Sequence, residues 1–136
     1  MNAQTSLTTA EGTTHMNVLI VESRSELGAL WKRHLERHHM KVSCVSTQEA
    51  ATSFLAENPV EIIILDLVLD EGAALAVSDY ANYRRPDARV IFVTNTTFFS
   101  DGSIFAHSAN ARAFLPSSTP PEDLAAMVEH YGSDLH

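Results

Sequence analysis

The sequence predicts an α/β domain, a doubly wound five-stranded parallel sheet with helices on both faces, and three observations carry that prediction. From Asn17 onward, short β-branched runs alternate with segments of helical periodicity, as successive right-handed βαβ units require. Two of the runs, EIIIL at 61–65 and RVIFV at 89–93, are almost continuously apolar, which marks strands covered on both faces. Three Ser/Thr-x-x-Glu capping boxes follow three of the runs: Ser23 with Glu26, Ser46 with Glu49, and Thr119 with Glu122.

Residues 1–15, MNAQTSLTTAEGTTH, are Thr-rich, lack periodicity and carry no basic-then-apolar leader pattern, so a disordered tail is expected there. Met16 stands directly before the first strand and offers an alternative start of translation. The first strand is placed at Asn17 to Val21, and the helix opening at Ser23 repeats Leu27, Leu30, Trp31 and Leu35 on one face. The second strand spans Lys41 to Val45. It contains Cys44, the only cysteine, expected to be a small buried hydrophobe. After the helix opened by Ser46 come the third strand, Glu61 to Leu65, and a helix near Gly72 to Tyr83, with Pro86 in its exit loop. The fourth strand, Arg89 to Val93, precedes a helix near Gly102 to Ser108. A short fifth strand, Ala113 to Leu115, leads to a last helix with Leu124, Met127, Val128 and Tyr131 in register, ending at Gly132. The domain is therefore placed at 16–131, with 132–136 as a C-terminal tail.

A chain of 136 residues supports one sizeable core and not two. No apolar run approaches the ~18 residues of a membrane span, which argues against a membrane protein. Seventeen acids against nine bases give a formal charge of -8, which disfavours nucleic acid and favours charged proteins or metal ions as partners. A single cysteine forms no internal disulfide and fits a reducing, cytoplasmic setting. His34 and His38 lie four apart, as metal ligands on a helix do, but a solvated helix face explains them more simply. The adjacent Phe98 and Phe99 do not both fit one core, so one is expected to face a partner.

In an open parallel sheet the functional crevice lies beyond the carboxyl ends of the strands, where strand order reverses. Glu22 and Ser23 follow strand one, Asp66 ends strand three, Thr94 ends strand four, and Pro116 and Ser117 follow strand five, so all should surround one crevice. An acid ending a buried strand must be solvated, hydrogen-bonded or paired. Glu22 and Asp66 as neighbours would repel unless one takes a proton or a cation sits between them, and magnesium is the natural cation. The Thr94 hydroxyl would then reach a phosphoryl oxygen.

These segments, NVLIVES, IIILDLVLDEG, VIFVTN and ARAFLPSS, together resemble the receiver domains of two-component response regulators over about residues 17 to 131. The resemblance implies a flavodoxin-like receiver fold with strand order 2-1-3-4-5. It also implies a phosphoacceptor role for Asp66, a switch hydroxyl at Thr94 and a switch aromatic at Phe114. Glu22, Asp66 and the Val68 backbone carbonyl stand at the positions of magnesium ligands. Implied partners are a histidine kinase or phosphotransfer protein, and a downstream protein on the face of the fourth helix, fifth strand and fifth helix. A homodimer is compatible with the same implication.

Two departures touch the chemistry. Ser23 replaces the second acid after strand one, and Ser117 replaces the strand-five lysine. Asn95 stands where a small residue is usual, and Asp70 where a proline is frequent, in a loop shorter than the common pattern. Losing the acid and the lysine together leaves the net charge of the site unchanged, so the fold should tolerate it. Phosphoryl transfer relies on charge neutralisation, so magnesium binding is expected to be weak and phosphorylation impaired, with Asp70 or Glu71 as a compensating ligand. The leading expectation is a stand-alone receiver-like signalling protein, not an enzyme beyond autocatalytic phosphotransfer onto Asp66. Its alternatives are a pseudo-receiver that docks independently of phosphorylation and a flavodoxin-like cofactor binder. The latter is disfavoured by only five glycines and no Gly-rich phosphate loop.

Overall fold

A computed structural model describes residues 16–94 and 111–133. Its elements run β1 (Asn17–Val21), α1 (Ser25–Glu36), β2 (Lys41–Val45), α2 (Gln48–Glu57), β3 (Ile62–Asp66), α3 (Ala74–Arg84), β4 (Arg89–Thr94), β5 (Ala111–Pro116) and α4 (Pro121–Ser133). The five strands form one parallel sheet in the order β2-β1-β3-β4-β5, as expected. Residues 1–15, the helix expected near 102–108, and Asn95, Phe98 and Phe99 lie outside the described residues.

Alternation along the strands divides the core in two. Val18, Ile20, Ile62, Ile64, Ile91 and Val93 face Trp31 and Leu35 of α1 and Leu124 and Val128 of α4. Leu19, Val21, Ile63, Leu65, Val90 and Phe92 face Leu55 of α2 and Val77 and Ala81 of α3. Both faces of β3 are therefore dry, which is why its sequence is continuously apolar until Asp66. Each such aliphatic side chain contributes about 1.5–3 kcal/mol on burial. Helix ends are held by long cations: Arg84 and Arg85 donate to the Ala56 and Leu55 carbonyls at the end of α2, at 2.9 Å each. Among the described residues, no helix is long and apolar enough to cross a membrane.

Several local expectations are corrected. Thr47, not Ser46, caps α2, its hydroxyl accepting from Ala50 N at 3.1 Å. The α1 N-cap is Arg24 with no side-chain cap bond, because the Ser23 hydroxyl is engaged by other loops. At Thr119 the hydroxyl donates back to the Pro116 carbonyl at 2.6 Å, and α4 begins at Pro121, a favoured first helical residue. That helix continues through Gly132, which packs so closely on Met16 that an added Cβ would lie 2.2 Å from its Cε. Cys44 is exposed, not buried: it sits near the end of edge strand β2 opposite Gly28, which has no side chain to cover it.

Candidate functional site

Pairing register brings the polar residues together. Val21 lies beside Leu65, Leu65 beside Phe92, and Phe92 beside Phe114, so the next residues along each strand collect at one edge. Order reverses between β1 and β3, and this edge is the switch-point crevice. Glu22, Asp66, Thr94 and Ser117 are exposed by only 1%, 4%, 1% and 8%, so four polar side chains floor an almost dry site. The Ser117 amide donates to the Thr94 carbonyl at 2.8 Å, and Glu22 N donates to the Val45 carbonyl at 3.0 Å.

The charge in the crevice is organised by Arg24. Its Nε donates to Glu22 Oε2 at 3.1 Å and its Nη2 to Glu22 Oε1 at 3.4 Å, a bidentate fork. The Arg24 backbone amide also donates to Oε2, at 3.0 Å. The same Nη2 lies 3.6 Å from Asp66 Oδ2 and donates to Ser117 Oγ at 3.1 Å. One guanidinium therefore touches three residues drawn from the ends of three strands. The other Asp66 oxygen, Oδ1, accepts from the Val68 amide at 3.0 Å. Burial, reinforced by the neighbouring Glu22 carboxyl, pushes the Asp66 acid up to about 7, against the opposing pull of the Val68 amide and Arg24. Arg24 is itself held above its ordinary value, first by its bond to Glu22.

A small hollow of about 160 Å³ opens over these groups, lined by Glu22, Ser23, Arg24, Asp66, Val68 and Asp70. A larger hollow of about 400 Å³ lies among the loops after β2 and β3, lined by Thr47, Gln48, Glu71 and Gly72, and one of about 450 Å³ lies at the opposite edge, where β2 begins, beside His39 and Lys41. Ser23 does not face the carboxylates as a ligand would. Its hydroxyl accepts from Asp70 N at 2.8 Å and donates to the Ser46 carbonyl at 3.3 Å, tying three loops together. Gln48 adds to the tie: its side-chain oxygen accepts from Ala73 N at 2.8 Å, and its amide donates to the Glu71 carbonyl at 3.2 Å. Between them Gly72 turns with φ +97, a backbone region in which glycine is favoured.

The residues as arranged do not fit a divalent ion. Both Glu22 oxygens and Asp66 Oδ2 face the guanidinium, and among the described residues no group of three acidic, histidine or cysteine side chains converges on a common point. Asp70 lines the hollow at its mouth. The two histidines separate: His34 Nδ1 lies 3.2 Å from the Leu30 carbonyl of its own helix, while His38 pairs with Glu129 of α4 at 3.3 Å. Phe114 is half-buried and packs against the core cluster shared with α2 and α3.

Among the described crevice residues, Arg24 is the one that the strand-end pattern does not point to. A signal for it exists: it is the only base in the segments 22–24, 46–47, 67–73, 95–101 and 117–120 that follow the strands.

Solved structures share the fold. A CheY-like response regulator receiver domain protein from Methanospirillum hungatei superposes with a TM-score of 0.82 at 18% identity, covering 89% of this chain and 96% of that one. The non-phosphorylated HemR receiver domain from Leptospira biflexa gives 0.77 at 21% identity, covering 87% and 94%. A response regulator from Burkholderia pseudomallei, solved with a phosphorylated aspartic acid, a calcium ion and citrate, gives 0.75 at 20% identity, covering 88% and 70%. Among curated proteins none matches in sequence. The response regulator receiver domain family matches residues 18–129, across every described strand and helix, and the chain belongs to that family.

Proposed function

We propose that this receiver domain is a signalling relay in which Asp66 accepts a phosphoryl group from a histidine kinase or phosphotransfer protein and the output is a protein–protein contact. The observation that supports it most is the position of Asp66: the last residue of central β3, at the switch point, with one oxygen fixed by the Val68 amide and the other beside a guanidinium under an open hollow. In such a transfer an Asp66 oxygen bonds to phosphorus as the phosphorus–nitrogen bond of the donor phosphohistidine breaks, and the imidazole leaves with the electron pair. The attacking carboxyl must be ionised. With its acid at about 7, a substantial fraction is competent at neutral pH. Arg24 supplies positive charge where the equatorial oxygens gather, and the buried Thr94 hydroxyl stands at the end of the neighbouring strand. The change is carried outward by β5, whose Phe114 packs on the core, to a partner on the β5–α4 face.

Intact-protein mass measurement after incubation with a small phosphoryl donor tests this. The wild type should gain one phosphoryl group and Asp66→Asn none. A wild type that stays unmodified, and whose amide spectrum beryllofluoride leaves unmoved, would overturn the proposal. It would leave a second reading, a pseudo-receiver that docks constitutively, which is favoured by the ion pair already made between Asp66 and Arg24.

A further inference from the structure

Two carboxylates that are almost fully buried sit side by side at the switch point, and one cation serves both. That cation is two residues along the chain from Glu22, makes a bidentate fork on it, and extends to Asp66 and Ser117. From this geometry we propose that Arg24 is the resident counter-ion of the crevice and closes it to divalent cations, holding the place between the two carboxylates that a metal ion would take.

The argument is one of competition. A divalent ion at this place would take Asp66 Oδ2 and a Glu22 oxygen as ligands, and all of these oxygens face the guanidinium. To enter, the ion must displace a charged group held at high effective concentration by its own backbone. It also loses the planar match between guanidinium and carboxylate that a spherical ion does not reproduce. The reward is small, because Arg24 already cancels one of the two negative charges. Ser23 offers no charge in exchange, since its hydroxyl is committed to Asp70 N and the Ser46 carbonyl. Among the described residues of the segments that follow the strands there is no other base, so the effect belongs to this one residue.

The inference rests on contacts within the crevice and not on phosphorylation of Asp66, so either proposal can fail without the other. The test is titration of the full chain with Mn²⁺, reading paramagnetic broadening of the Glu22, Asp66 and Val68 amides. Four proteins are compared: wild type, Arg24→Ala, Ser23→Asp, and the double variant. Wild type and Ser23→Asp should show specific broadening only above about 1 mM, and removing Arg24 should tighten binding at least about tenfold in each background. Wild-type broadening at these amides well below that concentration overturns the proposal, as does the absence of any gain on removing Arg24. If Arg24→Ala does not fold, the two proteins that keep Arg24 still decide the matter, because tight Mn²⁺ binding by Ser23→Asp would refute closure by the guanidinium.

Discussion

Replacing Asp66 with asparagine should stabilise the protein above neutral pH and remove one component of its pH dependence. In the folded chain the Asp66 acid is held up to about 7 from an ordinary value of 3.8, chiefly by burial. A folded state that binds the proton more tightly than the unfolded one gains stability below about pH 4, loses it as pH rises through 7, and is level above. The full span of that loss is about 4 kcal/mol. Asparagine mimics the protonated acid and keeps an oxygen for the Val68 amide, but gives up the 3.6 Å contact with Arg24. Arg24 is 45% exposed, so that forfeited contact is worth no more than about 1 kcal/mol. The net expectation is that Asp66→Asn exceeds the wild type by about 3 kcal/mol at pH 8 and by about 1–2 kcal/mol at pH 5, where the unfolded chain is already ionised, and roughly equals it below pH 4. Urea unfolding followed by fluorescence of Trp31, the only tryptophan and 2% exposed, measures this directly. At a slope of about 1–3 kcal/mol/M the midpoint should move up by roughly 1–3 M at pH 8. A variant less stable than wild type at pH 8, or a difference that does not change between pH 5 and 8, would refute the account of Asp66 as a destabilised buried acid.

The other substitutions address the frame around the crevice. Gly72→Ala places a Cβ 2.2 Å from the Gln48 Cβ at a φ of +97, so it should cost about 2–3 kcal/mol and lower the thermal midpoint by several degrees; an unchanged melt would mean the turn relaxes freely. Thr47→Ala removes the α2 cap and should cost about 1 kcal/mol in urea unfolding, while Thr47→Ser should be nearly neutral.

Fold was legible because it depends on periodicity. The runs at 17–21 and 41–45 are the observed β1 and β2 to the residue, and the apolar runs at 61–65 and 89–93 mark the two most buried strands. Strand three is displaced by one residue, Ile62–Asp66 against the expected 61–65, because the Asp66 backbone still pairs with Val93. What was not legible depends on tertiary hydrogen bonds. Ser23 and Ser46 read as caps by local spacing, yet the Ser23 hydroxyl finds Asp70 47 residues away, and Thr47 takes the cap of α2. Alternation on β2 points to burial of Cys44, but it says which side a residue faces and not whether a helix covers it. The role of Arg24 is hidden in the sequence for a similar reason. A lone arginine after a strand reads as a solvated charge until its reach to Glu22, Asp66 and Ser117 is known.

The tie among the three loops has a consequence for how the crevice can open. The β3–α3 loop is fastened to Ser23 through Asp70 N and to Gln48 through the Glu71 carbonyl and Ala73 N, and Ser23 in turn holds the Ser46 carbonyl. None of these segments can fluctuate far without breaking bonds belonging to the other two, so they form one cooperative unit of local stability and not three independent fringes. The rim on the β1–β2–β3 side of Asp66 therefore yields as a whole or not at all. A partner approaching the carboxylate from that side meets a preformed surface, with little ordering entropy left to lose on contact.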